Sequence, residues 1–275
     1  MSVLVATDLD RTLIYSRVAL ALAADPLPPL RCVERRDGAE VSFVTEAAAV
    51  LLTELVGRAV LVPVSTRLPD QLARVALPGP PSRYAIAANG GVLLVDGEPE
   101  PAWDRRVART LAESAPLSDV SRYIRQHCPP SSIERLRDAD GLFCYVLLNS
   151  AALPSGFVPE AAGWAQARGW VVSLQGRKLY WVPRGLTKTA AVTEVAHRIG
   201  ADRVLAAGDS LLDRDLLCYA DAGIRPAHGE LFDSGWSAPH VRCTAAAGVL
   251  AGQEIVEWFG RSLSPGDPAA GRWAG

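Results

Sequence analysis

Residues Val3–Thr12 read VLVATDLDRT, an apolar β-branched run that ends in two aspartates one residue apart and a threonine. Successive side chains of an extended chain point to opposite faces, so positions i and i+2 share one. Asp8 and Asp10 therefore converge at the carboxyl end of a strand, where open α/β sheets place their ligands. Two close carboxylates repel unless a cation or a shared proton lies between them. Mg2+ suits that role, because it prefers oxygen ligands and keeps water or phosphate oxygens in its other positions. Acids that merely cap a turn or helix after a strand give the same local pattern, so the pair is read through its partners elsewhere in the chain.

Other apolar runs followed by helical spacing extend the picture. Ala59–Val64 (AVLVPV) is preceded by a helix that Thr45 caps, with Ala47, Val50, Leu51 and Leu55 expected on its inner face. Tyr84–Ala88, Arg203–Ala207 and the short Ala222–Ile224 continue the series. This alternation predicts right-handed crossovers and an α/β fold with a Rossmann-like, doubly wound parallel sheet.

Two regions break the rhythm. In the insert from Leu13 to Phe43, the stretch LRCVERRDGAEVSFV predicts two short strands joined at Asp37-Gly38. A helical piece (Arg17–Ala24) and a Pro-rich turn (Pro26–Pro29) precede it, and the insert is placed to flank whatever the aspartates bind. From Gly91 to Pro183, strand-like runs at Ile133–Arg137, Leu142–Leu148, Trp170–Leu174 and Lys178–Val182 alternate with helical segments at Trp103–Ala115, Ser118–Gln126 and Val158–Arg168. Strands this close predict an inserted antiparallel α+β cap domain. The chain thus divides into a core (1–90 and 184–263), a cap (91–183) and a Pro/Gly/Ala-rich tail (264–275) expected to be disordered.

Composition narrows the function classes. Across 275 residues, 28 Lys and Arg face 30 Asp and Glu, a formal charge of −2. No nucleic-acid or membrane-surface partner is expected from that balance, and no apolar stretch approaches the ~20 residues of a membrane span. The first residues run straight into a strand without a basic segment, so no signal peptide is expected. Cys32, Cys128, Cys144, Cys218 and Cys243 show no C-x-x-C spacing and are expected to be buried free thiols of a reducing cytoplasm. The four scattered histidines argue against a zinc hydrolase or a Ser-His-Asp enzyme. Nothing in the chain sets an oligomeric state.

Three further elements end in suggestive polar residues. Val64-Ser65-Thr66-Arg67 closes the second strand with hydroxyls able to hold a phosphate oxygen, or to cap a helix. Gly185-Leu186-Thr187-Lys188 opens a helix with Thr187 as N-cap. The helix dipole disfavours a cation in the first turn, so Lys188 makes physical sense there if an anion sits beside it. Ala207-Gly208-Asp209 ends another apolar strand, and Asp213 follows within one helical turn.

The order DxDxT, strand–Ser/Thr, Lys, GDxxxD across residues 8–213 resembles the haloacid dehalogenase superfamily of aspartate-nucleophile phosphatases. The cap position resembles that of the C2-capped members, and Asn89-Gly90 resembles the start of the cap in their Cof-like branch (subclass IIB). The resemblance implies Asp8 as nucleophile, Asp10 as general acid and base, and Thr12 as the residue that fixes Asp10 or its turn. It implies Ser65, with Thr66, and Lys188 as phosphate ligands, and Asp213 as the group orienting Lys188 or a metal-bound water. Mg2+ would be held by Asp8, Asp209 and the backbone carbonyl of Asp10. Arg67, Asn89, Arg177 and Tyr180 are candidates for substrate contacts, with Lys178, Trp181 and Arg184 nearby. The chain departs from the family pattern at Arg11 and Thr66, where glycine is usual, and at Leu212, where the branch has asparagine.

The implied activity is a Mg2+-dependent phosphomonoesterase reaction on a small phosphorylated metabolite, a sugar phosphate or glycosyl phosphate, in the cytoplasm. A sugar phosphomutase using the same aspartyl phosphate remains open, as does a non-catalytic binding protein on the same fold.

Overall fold

The computed structural model describes residues 2–20 and 26–263. Five parallel strands form the central sheet, in the order Val241–Cys243, Ala222–Arg225, Arg203–Ala207, Val3–Thr7, Val60–Pro63. The strand that carries the aspartates is interior, with Thr7 in register with Ala207 on one side and Pro63 on the other. Asp8, Asp209 and Ser65 therefore leave the sheet along one edge. Leu4 and Ala6 face a core that includes Val192, Val195 and Leu216. Val5 faces the opposite one, with Ala48, Leu52, Ile255 and Phe259. Helices on both faces bury the inner strands of the sheet, which explains why those strands read as apolar runs, whereas the edge strand Val241–Cys243 is largely exposed.

Three expectations about the core are corrected. Tyr84–Ala87 touches the parallel sheet through one bridge, between Val64 and Ile86. It pairs antiparallel with Val92–Val95, which in turn pairs with Glu98–Pro99. Left-handed φ angles of 50° at Ala88 and 56° at Asn89 reverse the chain there. The helix Glu46–Val56 is capped by Thr45, whose Oγ1 accepts from the Ala48 N–H at 3.0 Å, but it buries Ala48, Ala49, Leu52 and Leu55. Val50 is exposed, because at about 100° per residue it lies on the side of the helix away from Ala48, Leu52 and Leu55. Of the five free cysteines, Cys128 and Cys144 are buried, Cys32 is half-buried, and Cys218 and Cys243 lie at the surface.

The insert forms the strands Leu30–Arg36 and Ala39–Thr45, joined at Asp37 (φ 52°) and Gly38 (φ 80°), the signs a primed hairpin turn requires. The short helix Arg17–Leu20 precedes it. The remainder of the expected helical piece, and the tail 264–275, lie outside the described residues. A separate four-stranded antiparallel sheet follows the order Trp170–Gln175, Lys178–Pro183, Phe143–Leu148, Ile133–Ala139. Its buried face, with Cys144, Val146, Leu179 and Trp181, packs against residues of the helices Leu117–His127 and Phe157–Gln166. Among the described residues no helix is long and apolar enough to cross a membrane.

Candidate active site

The edge where the central strands end is built on backbone contacts. The Asp8 N–H donates to the Ala207 carbonyl at 2.9 Å, and Val64 N–H to Thr7 O at 2.8 Å, so both neighbouring strands fix where Asp8 emerges. The helix Lys188–Ile199 starts beside it, with Thr187 Oγ1 accepting from Ala190 N–H. Lys188 is buried, and its ammonium donates to Asp8 Oδ1 and to Asp213 Oδ1 at 2.6 Å each. The other oxygen of Asp213 accepts from the Ser210 N–H and hydroxyl at 3.0 and 2.8 Å. Gly208 makes room for this arrangement: a Cβ there would lie 2.3 Å from that of Asp213. Gly90 does the same at the helix start, where a Cβ would lie 2.2 Å from the Thr187 carbonyl oxygen.

One carboxylate oxygen each from Asp8, Asp209 and Asp213 lies within 4.8 Å of the others. Three buried acids thus share one ammonium. Burial, assisted by the neighbouring acids Asp213 and Asp10, pushes the Asp8 carboxyl up to about 7 against the pull of Lys188. Burial and repulsion from Asp8 and Asp213 likewise raise Asp209 well above the usual carboxylate range. Burial opposes the charge on Lys188, yet Asp213 and Asp8 hold it in the ammonium form. An all-oxygen, acid-rich donor set with a charge deficit is what a hard divalent cation satisfies, so the residues present fit Mg2+.

Raised acids also fix a pH dependence. A carboxyl whose pKa is higher in the folded than in the unfolded chain binds an extra proton in the native state between the two values, so stability falls as pH rises through that window. Without divalent cations, thermal stability is expected to fall as pH rises from about 4 to about 7 in a way that Asp8→Asn reduces. Millimolar Mg2+ should flatten the wild-type decline. Identical pH profiles for wild type and variant would contradict this.

Asp10 is turned to a different partner. Arg67 grips its carboxylate with two hydrogen bonds, Nε to Oδ2 at 2.7 Å and Nη2 to Oδ1 at 2.9 Å. Arg67 is held in turn by Glu34, buried in the insert, through contacts of 2.9 Å from both terminal nitrogens. Ser42 donates to Glu34 at 2.6 Å. Burial works against the Asp10 charge, but the Arg67 hydrogen bonds outweigh it and hold the carboxyl below its ordinary value. Arg67 is thus committed to two carboxylates of the protein and not to an open substrate site. The insert supplies this anchor, which no local feature of the sequence announces.

Arg11 occupies a left-handed conformation (φ 66°), which accounts for the glycine usual there. Tyr15 Oη and His228 Nε2 meet its carbonyl at 3.0 and 2.8 Å, and its Nε lies 3.6 Å from Asp209 Oδ2. Arg11→Gly is expected to tighten Mg2+ binding by about tenfold, because a competing cation beside Asp209 is lost. Calorimetric titration reads this directly; an unchanged or weaker affinity would contradict it.

The remaining candidates separate into those the fold brings to the site and those it does not. Ser65 is buried at the strand end, with its Oγ accepting from the Arg67 N–H at 3.2 Å. Thr66 Oγ1 lies 3.4 Å from Tyr180 Oη, so Tyr180 reaches from the antiparallel sheet to the core. Asn89 is buried and donates to the Leu186 carbonyl at 2.8 Å, tying the hairpin to the segment before Lys188. Arg177 turns away: it pairs with Glu134 and donates to the Leu148 carbonyl. The Thr12 hydroxyl has no hydrogen-bond partner among the described residues. The turn is held instead by the Thr12, Leu13 and Ile14 N–H groups on the Leu9 carbonyl and by Tyr15 Oη on the carbonyls of Arg11 and Thr12. Leu212 lines a cavity of about 370 Å3 together with Asn89, Trp170, Val182 and the charged Arg184, Arg214 and Asp215.

Glu230 ties the two sheets together. Its carboxylate accepts from Leu174 N–H at 2.9 Å and Ser173 Oγ at 2.6 Å on the antiparallel sheet, and from Leu211 N–H at 2.9 Å on the loop after Asp209.

No protein-family model matches the chain, and no curated protein sequence does. Solved structures do. The sucrose-phosphatase from Synechocystis sp. PCC6803, in complex with sucrose and phosphate, aligns over 94% of this chain and 99% of its own with a TM-score of 0.63 and 14% identity. The C-terminal domain of the C. albicans trehalose-6-phosphate phosphatase aligns over 96% and 94%, with a TM-score of 0.55 and 12% identity. A phosphatase of the haloalkanoate (HAD) superfamily from Bacteroides thetaiotaomicron aligns over 94% and 96%, with a TM-score of 0.53 and 15% identity. A central parallel sheet with helices on both faces and an added antiparallel sheet is common ground at this level of likeness: the chain has the fold of the haloacid dehalogenase superfamily phosphatases.

Proposed function

We propose that the protein is a Mg2+-dependent phosphomonoesterase that releases phosphate from a small phosphorylated metabolite, a sugar phosphate or glycosyl phosphate, through an aspartyl phosphate on Asp8. The observation that carries this reading is the Lys188 ammonium held at 2.6 Å from both Asp8 and Asp213, with Asp209 alongside. Such a buried carboxylate, fixed at a strand end beside a cation, is a positioned nucleophile. Asp8 attacks phosphorus, the bond to the alcohol oxygen breaks, and Asp10 gives its proton to that oxygen. Water then attacks the phosphoryl group, Asp10 takes its proton, and Asp8 is regenerated as phosphate leaves. Lys188 and Ser65 hold the phosphoryl oxygens as charge develops on them. Asp8, Asp209 and the Asp10 carbonyl would hold Mg2+, which would supply further positive charge against the phosphoryl oxygens.

Arg67 adds a condition to this scheme. It keeps Asp10 ionised, which is the form required to accept a proton from water. For Asp10 to donate in the first step, it must first take up a proton from solvent or from a phosphate monoanion, and Arg67 must give up part of its grip as the substrate enters.

Sugar phosphates are favoured because the sucrose and trehalose-6-phosphate phosphatases share the fold. A panel of phosphorylated metabolites assayed with Mg2+ for free phosphate, with Asp8→Asn as control, tests the reading. Phosphate release by wild type alone supports it, whereas no release from any compound refutes it.

A further inference from the structure

We propose that the core-facing side of the antiparallel sheet, at its Lys178 edge, selects a leaving group that carries a second anion, a carboxylate or a further phosphate, an assignment that rests on the phosphatase reading and adds the class of alcohol. Along Lys178–Pro183, Leu179 and Trp181 point into the interior of the cap and are fully buried. Lys178 and Tyr180 take the other face, as strand alternation requires; Lys178 is exposed, and Tyr180 is buried where this face meets the core. Tyr180 Oη meets Thr66 next to Ser65, so this face looks onto the site.

Strand register brings more charge to it. Tyr145 lies opposite Tyr180 and Arg137 opposite Tyr145; one step along, Leu147 lies opposite Lys178 and Arg135 opposite Leu147. Directly opposed residues share a face. Lys178, Arg135 and Arg137 therefore surround two tyrosines whose rings are 5.2 Å apart, with the Lys178 ammonium 5.9 Å from the Tyr145 ring centre.

The cations of the core and of this sheet differ in kind. On the core side Arg67, Arg11 and Lys188 each meet a carboxylate. Lys178, Arg135 and Arg137 are exposed and form no direct ion pair among the described residues, although Lys178 lies near enough to Asp10 to help hold its carboxyl down. The phosphoryl group already has Ser65, Lys188 and the metal-binding acids, so three further cations are in excess for it. They suit an anion on the other end of the substrate, with the half-buried Tyr145 ring beside the carbon skeleton between.

Four probes test this: p-nitrophenyl phosphate, a hexose monophosphate, phosphoglycerate and a hexose bisphosphate, each assayed for kcat/KM with Mg2+. At least one of the two doubly anionic probes should exceed the hexose monophosphate by about tenfold or more, the size of one charge-assisted contact. Which of them leads separates carboxylate from phosphate. Lys178→Met should lower that preference by about tenfold, mainly through KM, and Lys178→Arg should restore most of it. A hexose monophosphate turned over as well as both anionic probes, or a preference that survives Lys178→Met, overturns the assignment while leaving the phosphatase reading intact. Failure to hydrolyse any probe, p-nitrophenyl phosphate included, overturns both.

Discussion

Asp8→Asn is expected to remove phosphatase turnover, lowering kcat by more than about a thousandfold, the order seen when a nucleophile that acts within a catalytic unit is deleted. The substitution is nearly isosteric, and an amide oxygen can still accept from Lys188, so the variant should fold. The loss is chemical: an amide does not attack phosphorus to give an acyl phosphate. The variant also relieves charge among three buried acids, so its stability without metal should equal or exceed that of wild type at neutral pH. Asp10→Asn is the informative contrast. Its side chain faces Arg67, so Mg2+ affinity should survive while both proton transfers slow. Equal loss of Mg2+ affinity in the two variants would show that the roles are wrongly divided.

Lys188→Met is expected to cost about 3–5 kcal/mol of stability in the absence of metal, the range for breaking a buried ion pair from one side. The methionine fills similar volume, so packing contributes little. What remains is Asp8, Asp209 and Asp213 in one buried cluster with no ammonium between them. Two responses are available to the chain: to bind protons or to bind a cation. The loss should therefore shrink at low pH and in Mg2+, and activity should fall steeply in both. Denaturant unfolding with and without Mg2+ measures this; a cost below about 1 kcal/mol in the absence of metal would mean that Lys188 is not the counter-ion of the cluster.

The acid cluster was legible because apolar runs that stop abruptly at Asp8, Ser65 and Asp209 are unusual unless the strand ends are used. Lys188 stood out because it violates the helix dipole. Glu34 and Arg67 carry no such mark. They are 33 residues apart, and their contact exists only once the insert folds back over the strand end. The choice between Arg177 and Lys178 was equally hidden, because a one-residue change of phase exchanges the two faces of a strand. Tyr84–Ala87 reads as a full parallel strand because its short apolar run carries no sign of direction. The reversal depends on Ala88 and Asn89, and only asparagine commonly takes the left-handed region.

Trapping the covalent intermediate tests the central claim most directly. The protein is mixed with Mg2+ and p-nitrophenyl phosphate, quenched in acid within one turnover, digested, and its peptides are analysed by mass spectrometry. A phosphoryl group on Asp8, absent from Asp8→Asn and discharged by hydroxylamine, is the expected result. Release of nitrophenol with no phosphoryl group on Asp8, or with one on another residue, would contradict the assignment.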